Sequence, residues 1–199
     1  MAAKEILKMG HPLLRRPAAT LEPPFGDDIF ELVEEMRASL EAAGGVGLAA
    51  PQIGVSKSLV IFEVPEDRVR MEEGETASGV PSTVLINPKI TPLSDETALG
   101  WEGCLSVPGL RGLVPRFTHI RYEGLGLDGR PISIEARGFH ARVVQHECDH
   151  LLGILYPERM TDMRYLMFES EVPRFMESLR EAAAAREATA ANAEGERRD

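Results

Sequence analysis

Ile29, Leu32, Val33, Met36 and Leu40 recur three and four apart, the spacing that gathers apolar side chains on one stripe of a helix. The pattern predicts a helix over 27–43, with Asp27 and Asp28 available to cap its start and Gly44 and Gly45 to end it. GVGLAAPQIG, 45–54, is too rich in Gly and Pro for a regular element. SLVIFEV (58–64) and TVLINPKI (83–90) read as strands, and the polar residues 65–81 between them as a surface loop. From 118 to 138 apolar and polar positions alternate about Asp128-Gly129, a hairpin signal. Helical spacing returns over 141–152. Strands broken by a few helices in no regular alternation predict an α+β fold.

The apolar stripe fades near the C-terminus. The chain is expected to divide into a single folded domain over 1–175 and an Ala-rich charged tail over 176–199, a frayed helix or disordered. A length of 199 residues suits one domain with a real core. A net charge of -10 argues against non-specific binding to nucleic acid or anionic membrane. No apolar run has the length of a membrane span, and Glu5, Lys8 and His11 fall where a signal peptide would need its apolar core. A cytoplasmic location follows as the expectation. In that reducing compartment Cys104 and Cys148 are thiols or metal ligands rather than a disulfide.

The chemistry is concentrated in QHECDH, 145–150. On a helix, residues four apart lie about 40° apart around the axis, so His146 and His150 project from one face and can reach one ion. Glu147 lies about 100° from His146, placed to address a water on that ion. H-E-x-x-H is a metal-hydrolase signature for this reason. Cys148, about 200° round, points away with Val144 and Leu152 toward the expected core. Asp149 reads as structural. A catalytic site wants a third protein ligand. A histidine six residues after His150 would complete one protease pattern, but Tyr156 stands there. Glu169 or Glu171 from a downstream helix, and Cys104 in WEGCLSVPG, remain as candidates.

GVGLAAPQ (45–52), EGCLS (102–106) and QHECDH together resemble the three motifs of the peptide deformylases, in order and with similar separations. KEILKMGHP resembles the start of those enzymes, so the likeness covers roughly residues 4–170. The resemblance implies mainly antiparallel strands packed around a central metal-binding HExxH helix, with an N-terminal helix and a C-terminal helix or tail. It implies Cys104, His146 and His150 as ligands of one divalent ion, ferrous iron first, with Zn2+, Ni2+ or Co2+ able to take the site. The reaction implied is removal of the N-formyl group from the formyl-methionine of nascent chains, releasing formate. A water on the metal attacks the formyl carbon, with Glu147 as general base and then acid. By the same likeness the side chain of Gln52 and the backbone N–H of Leu105 stabilise the oxyanion. Glu102 is a candidate anchor behind the ligands, and Asp149 is expected to pair with Arg116.

For the substrate, Val46, Phe139 and Val143 are candidates to wall an apolar pocket. The resemblance also implies that Gly45, Val46, Gly47 and Leu110 lie near the edges where an extended peptide would add as a strand. Formyl-methionyl peptides are thus the expected partners. Some members dock to the ribosome through a basic C-terminal helix, implying a transient ribosome contact, although the tail's arginines are matched here by Glu and Asp. Two other readings compete: a zinc peptidase using Glu169 or Glu171 as third ligand, and a non-catalytic metal- or peptide-binding module.

Overall fold

Leu59, Val60, Ile61, Phe62 and Val64 are all buried, so both faces of this strand must be covered. They form β2 (Leu59–Val64) in a five-stranded antiparallel sheet with β1 (Gly47–Ala49), β3 (Val80–Pro92), β6 (His119–Leu125) and β7 (Pro131–Arg137), ordered β1-β2-β3-β6-β7. Alternation along β2 separates two cores. Leu59 and Ile61 join Val84 and Ile86 against α1 (Asp27–Ala43), which contributes Ile29, Leu32, Val33 and Met36. Val60 and Phe62 join Leu85, Ile120 and Tyr122 on the other face, against Val143, Val144, Cys148 and Leu151 of α2 (Gly138–Leu151). This structure, a computed structural model, describes residues 2–66 and 79–195, with the side chains of the last helix described through residue 186.

A second, three-stranded antiparallel sheet, ordered β4-β5-β8, consists of the hairpin β4 (Thr97–Cys104) and β5 (Val107–Phe117) with the short β8 (Met167–Phe168) on its edge. α2 contacts β5 as well as β1, β2, β3, β6 and β7, so it lies where the two sheets meet. The last element is α3 (Val172–Gly195), into which the residues expected to fray, from 176 on, continue as helix. No helix among the described residues is long and apolar enough to cross a membrane.

Several expectations are refined. Gly44, at φ 65°, ends α1 in the left-handed conformation, and the N–H of Gly45 bonds to the Leu40 carbonyl. The start of α1 differs from its expectation: Gly26 is the N-cap and no side chain caps it, while Asp28 pairs with Lys57 at 2.7 Å. Residues 45–54 are more regular than their Gly and Pro content suggested, because Gly47–Ala49 pair with Phe62–Val60 before a 3-10 turn at Ala50–Ile53. Val80 and Pro81, assigned to the loop, belong to β3; positions 67–78 of that loop lie outside the described residues. The 118–138 hairpin is β6–β7, in register from His119↔Arg137 to Leu125↔Pro131. Leu152 follows the last residue of α2 and is 59% exposed, so it does not share the core with Val144 and Cys148.

The β4–β5 hairpin left no clear alternation in the sequence, since Gly100, Gly103 and Gly112 interrupt it. Those glycines make room for side chains packed on the hairpin. A Cβ on Gly100 would sit 2.6 Å from the Arg142 guanidinium carbon, and one on Gly112 2.5 Å from Met160 Sδ.

Candidate active site

The α2 helix and the end of β4 bring Cys104, His146 and His150 together, with one ligand atom from each within 4.8 Å of the others. Cys104 Sγ lies 3.3 Å from His150 Nε2. The two imidazoles stand 5.1 Å apart at 78°, as residues four apart on one helix should. A sulfur and two imidazole nitrogens are a donor set that suits a divalent transition ion. Three further observations fit such an ion. His146 Nδ1 is engaged by Glu102 Oε2 at 2.8 Å, which fixes the ring and leaves Nε2 for coordination. The backbone N–H of Ser106 points at Cys104 Sγ from 3.4 Å. Glu147 Oε2 is buried beside the group with no hydrogen-bond partner among the described residues.

Burial and charge set the protonation of the site. Burial alone would raise the Cys104 thiol, but the neighbouring His150 charge and hydrogen bonds from both imidazoles hold it well below its usual range. His146 is raised well above its ordinary value: burial opposes this, and the partners Cys104 and Glu102 overcome it. Glu147 is pushed up to about 7, chiefly by burial, the range in which a carboxyl group can both take and give a proton near neutral pH. Its carboxyl rests against Gly47, where a Cβ would come 2.6 Å from Cδ and 2.7 Å from Cγ. A side chain at 47 would therefore displace Glu147.

Gln52, 1% exposed, is oriented by its own loop. Its Oε1 accepts from Ala49 N at 2.8 Å, so its NH2 group faces the site, donating to Ser106 Oγ at 3.1 Å and toward Cys104 Sγ at 3.6 Å. Beside the Cys104, His146 and His150 side chains opens a cavity of about 460 Å³. Gly45, Val46, Gly47, Gln52 and Leu105 line one part of it, and Cys104, Leu110, Phe139, Val143, His146 and Glu147 another. Of the catalytic, metal-binding and substrate-binding residues that the resemblance implies, His150 is absent from this lining; it is 2% exposed. Glu169 also lines the cavity, but its carboxylate is bonded to Arg111, and Glu171 lies near Arg174 at 3.5 Å. Neither belongs to the ligand group, so the peptidase arrangement built on them is not formed.

Behind Cys104 and the two histidines lies a buried ionic cluster. Arg116 donates through Nε and Nη2 to Glu102 at 2.9 and 3.0 Å, and through Nη1 to Asp149 Oδ2 at 2.6 Å. The Arg116–Asp149 pair is the one expected. Arg142 adds a contact to Glu102 at 2.9 Å and Arg159 one to Asp149 at 2.6 Å; neither arginine stood out in the sequence. Glu102 is held well below the usual carboxylate range, because the bonds from His146 and Arg116 outweigh the burial that would raise it. Trp101 and Ser106 were also missed, although both flank or belong to EGCLS.

Fold and site together define a class: an α+β hydrolase with a potential metal site of one cysteine and two histidines beside a buried glutamate. The comparisons with known proteins narrow it. The family model described as polypeptide deformylase matches residues 3–165. The chain is 56% identical over 158 residues to peptide deformylase 1 of Bordetella pertussis, which spans 79% of this chain and 88% of that protein. It is 52% identical over 161 residues to peptide deformylase 1 of Nitrosomonas europaea, covering 81% and 89%. Among solved structures, a Met-Ala-Ser-bound class I type b peptide deformylase from Acinetobacter baumannii superposes with a TM-score of 0.72 at 36% identity, over 80% of this chain and 99% of that one. The peptide deformylase from Ehrlichia chaffeensis gives 0.72 at 34% identity, over 82% and 91%. The chain belongs to the polypeptide deformylase family.

Proposed function

We propose that this chain hydrolyses the N-formyl group from the formyl-methionine that begins nascent polypeptides, releasing formate and a free amine. The observation that carries the reading is the meeting of Cys104, His146 and His150 beside Glu147 at the wall of a peptide-sized cavity. Cys104 Sγ and the two histidine nitrogens would hold the divalent ion, Fe2+ first, with Zn2+, Ni2+ or Co2+ acceptable to the same donors. When bound, that ion supplies Lewis acidity, polarising a carbonyl oxygen and acidifying water.

Glu147 takes a proton from the attacking water as its oxygen bonds to the formyl carbon, then delivers it to the amine nitrogen as the C–N bond breaks. The NH2 group of Gln52 and the N–H of Leu105 stabilise the negative charge that develops on the formyl oxygen. Gln52 is suited to this because Ala49 fixes which end of its amide faces the site. Val46, Phe139 and Val143 wall the methionine pocket, and the residues after methionine pair as an extra strand along Gly45–Gly47; Leu110 lines the cavity, but its edge of β5 is taken by Phe168 of β8. α2 is the centre about which both sheets assemble the site. Residues 1–175 are the catalytic domain and 176–199 an appendage that touches the ribosome transiently. The enzyme works in the cytoplasm, on nascent chains, without nucleic-acid specificity.

The test is formate release from formyl-Met-Ala-Ser by protein purified without oxygen and loaded with ferrous iron. Release is expected, with loss of turnover but not of metal in Glu147→Ala, and loss of metal in Cys104→Ala. Metal retained at full stoichiometry in Cys104→Ala would overturn the ligand assignment, and absence of release from folded, metal-loaded wild type the activity. A Glu147→Ala protein with unchanged turnover would remove the general base.

A further inference from the structure

We propose that the C-terminal segment Met167–Phe175 forms an outer wall of the peptide groove, with Glu169 and the Trp101–Phe175 pair positioning the residues that follow methionine. The inference rests on the deformylase reading and concerns a part of the chain beyond the 3–165 matched by the family model.

Two attachments of different chemistry tie this segment to the cavity. The first is ionic. β8 pairs with β5 at Leu110↔Phe168 and Arg111↔Met167, which carries Glu169 to the cavity that Cys104 and His146 also line. The guanidinium of Arg111 lies across Gly103, where a Cβ would be 2.7 to 3.0 Å from its Nη1, Cζ and Nε. Arg111 Nε and Nη2 both donate to Glu169 Oε1, at 3.0 and 2.5 Å. Oε2 is left out of that pairing, on a side chain 58% exposed. The second attachment is aromatic. Trp101 lines the same cavity, and Phe175 of α3 meets its ring edge-on at 6.2 Å and 83°. Phe175 is itself held edge-on by Tyr165 at 5.8 Å.

Distance decides which part of a substrate this wall meets. Trp101 precedes Cys104 by three positions on β4, and at about 3.3 Å per strand residue it stands roughly 10 Å along the strand from the sulfur. A peptide extended from a formyl carbon at Cys104 toward Trp101, the direction the proposal requires, advances by a similar step per residue, so its second and third residues reach this rim while methionine does not.

Two substrates separate this wall from the reacting centre: formyl-Met-Ala-Ser and formyl-methionine amide. In wild type the tripeptide has the larger kcat/KM. In Phe175→Ala the ratio of the two kcat/KM values falls about 2- to 10-fold, as loss of an aromatic pair predicts, and the change appears in KM of the tripeptide rather than in kcat. Glu169→Gln, exposed and isosteric, lowers the same ratio about 2-fold, and less at high salt. The single tryptophan of the chain gives a second readout, since Trp101 emission changes on titration with Met-Ala-Ser in wild type and responds only at higher peptide concentration in Phe175→Ala. An unchanged ratio in both variants overturns the proposal. So does a fall in kcat on both substrates together, which would make the segment a structural brace only. If wild type released formate from neither substrate, the deformylase reading would fail and take this inference with it.

Discussion

Replacing Arg116 with methionine should cost the fold about 3 kcal/mol, the low end of the range for breaking a buried ion pair by removing one partner. The Arg116, Glu102 and Asp149 side chains are 6%, 4% and 8% exposed, so water cannot readily take the guanidinium's place. Three charge-assisted hydrogen bonds disappear at once. What limits the cost is redundancy. Glu102 keeps Arg142 and His146, and Asp149 keeps Arg159, whose side chain is 42% exposed and free to adjust. At about 2–4 °C per kcal/mol for a chain of this length, the melting temperature should fall by about 6–12 °C. Urea titration and thermal unfolding, both followed by circular dichroism with chelator present, measure this without a contribution from metal binding. Arg116→Lys should recover only part of the loss, because an ammonium cannot serve both carboxylates with the planar fork of arginine. A loss below about 1 kcal/mol for Arg116→Met would refute the reasoning. It would mean that Arg142 and Arg159 already satisfy both acids and that Arg116 adds no more than a surface pair.

Two other outcomes follow from the site. Gly47→Ala should lower kcat on the order of 100-fold with metal content and melting temperature nearly unchanged, because the new Cβ displaces the Glu147 carboxyl by about 1 Å; activity within a few-fold of wild type, measured as formate release, would show that Glu147 is not set by this contact. Glu102 is depressed below its usual 4.5, so its stabilisation is complete above that value and is lost as pH falls toward its folded pKa. The urea midpoint should therefore decline below about pH 5, and less steeply in Glu102→Gln; equal slopes in the two proteins would count against the assignment.

The elements legible from the sequence were those whose signal is local. α1 announced itself through Ile29, Leu32, Val33 and Met36, and all four are buried. The hairpin β6–β7 followed from alternation and from Asp128-Gly129, with Gly129 at φ 76°. β4 and β5 were not legible, because their glycines answer to neighbours brought up by the fold: Arg111 across the hairpin, and Arg142 and Met160 from distant parts of the chain. The same division holds in the site. His146 and His150 are marked by their spacing on one helix. Cys104 has no local mark: it stood as one third-ligand candidate beside Glu169 and Glu171, and the three motifs together set it ahead of them. Arg142 and Arg159 reach Glu102 and Asp149 across 40 and 10 residues; the first pairing depends on how α2 sits against the hairpin, the second on how the chain turns back after α2. Glu169 was noticed as a possible ligand, and the fold turned it instead toward Arg111.

The double burial of β2 gives the two faces of the strand unequal latitude. Leu59 and Ile61 face α1, where volume-conserving exchanges among Leu, Ile and Met would be absorbed by a helix that carries none of the site residues. Val60 and Phe62 face α2, where the same exchanges would shift the backbone that aims His146, Glu147 and His150. Adjacent positions on one strand thus live under different rules. Engineering for stability has its latitude on the α1 side, and a sequence library spread evenly over β2 would lose activity at every second position while the fold survived.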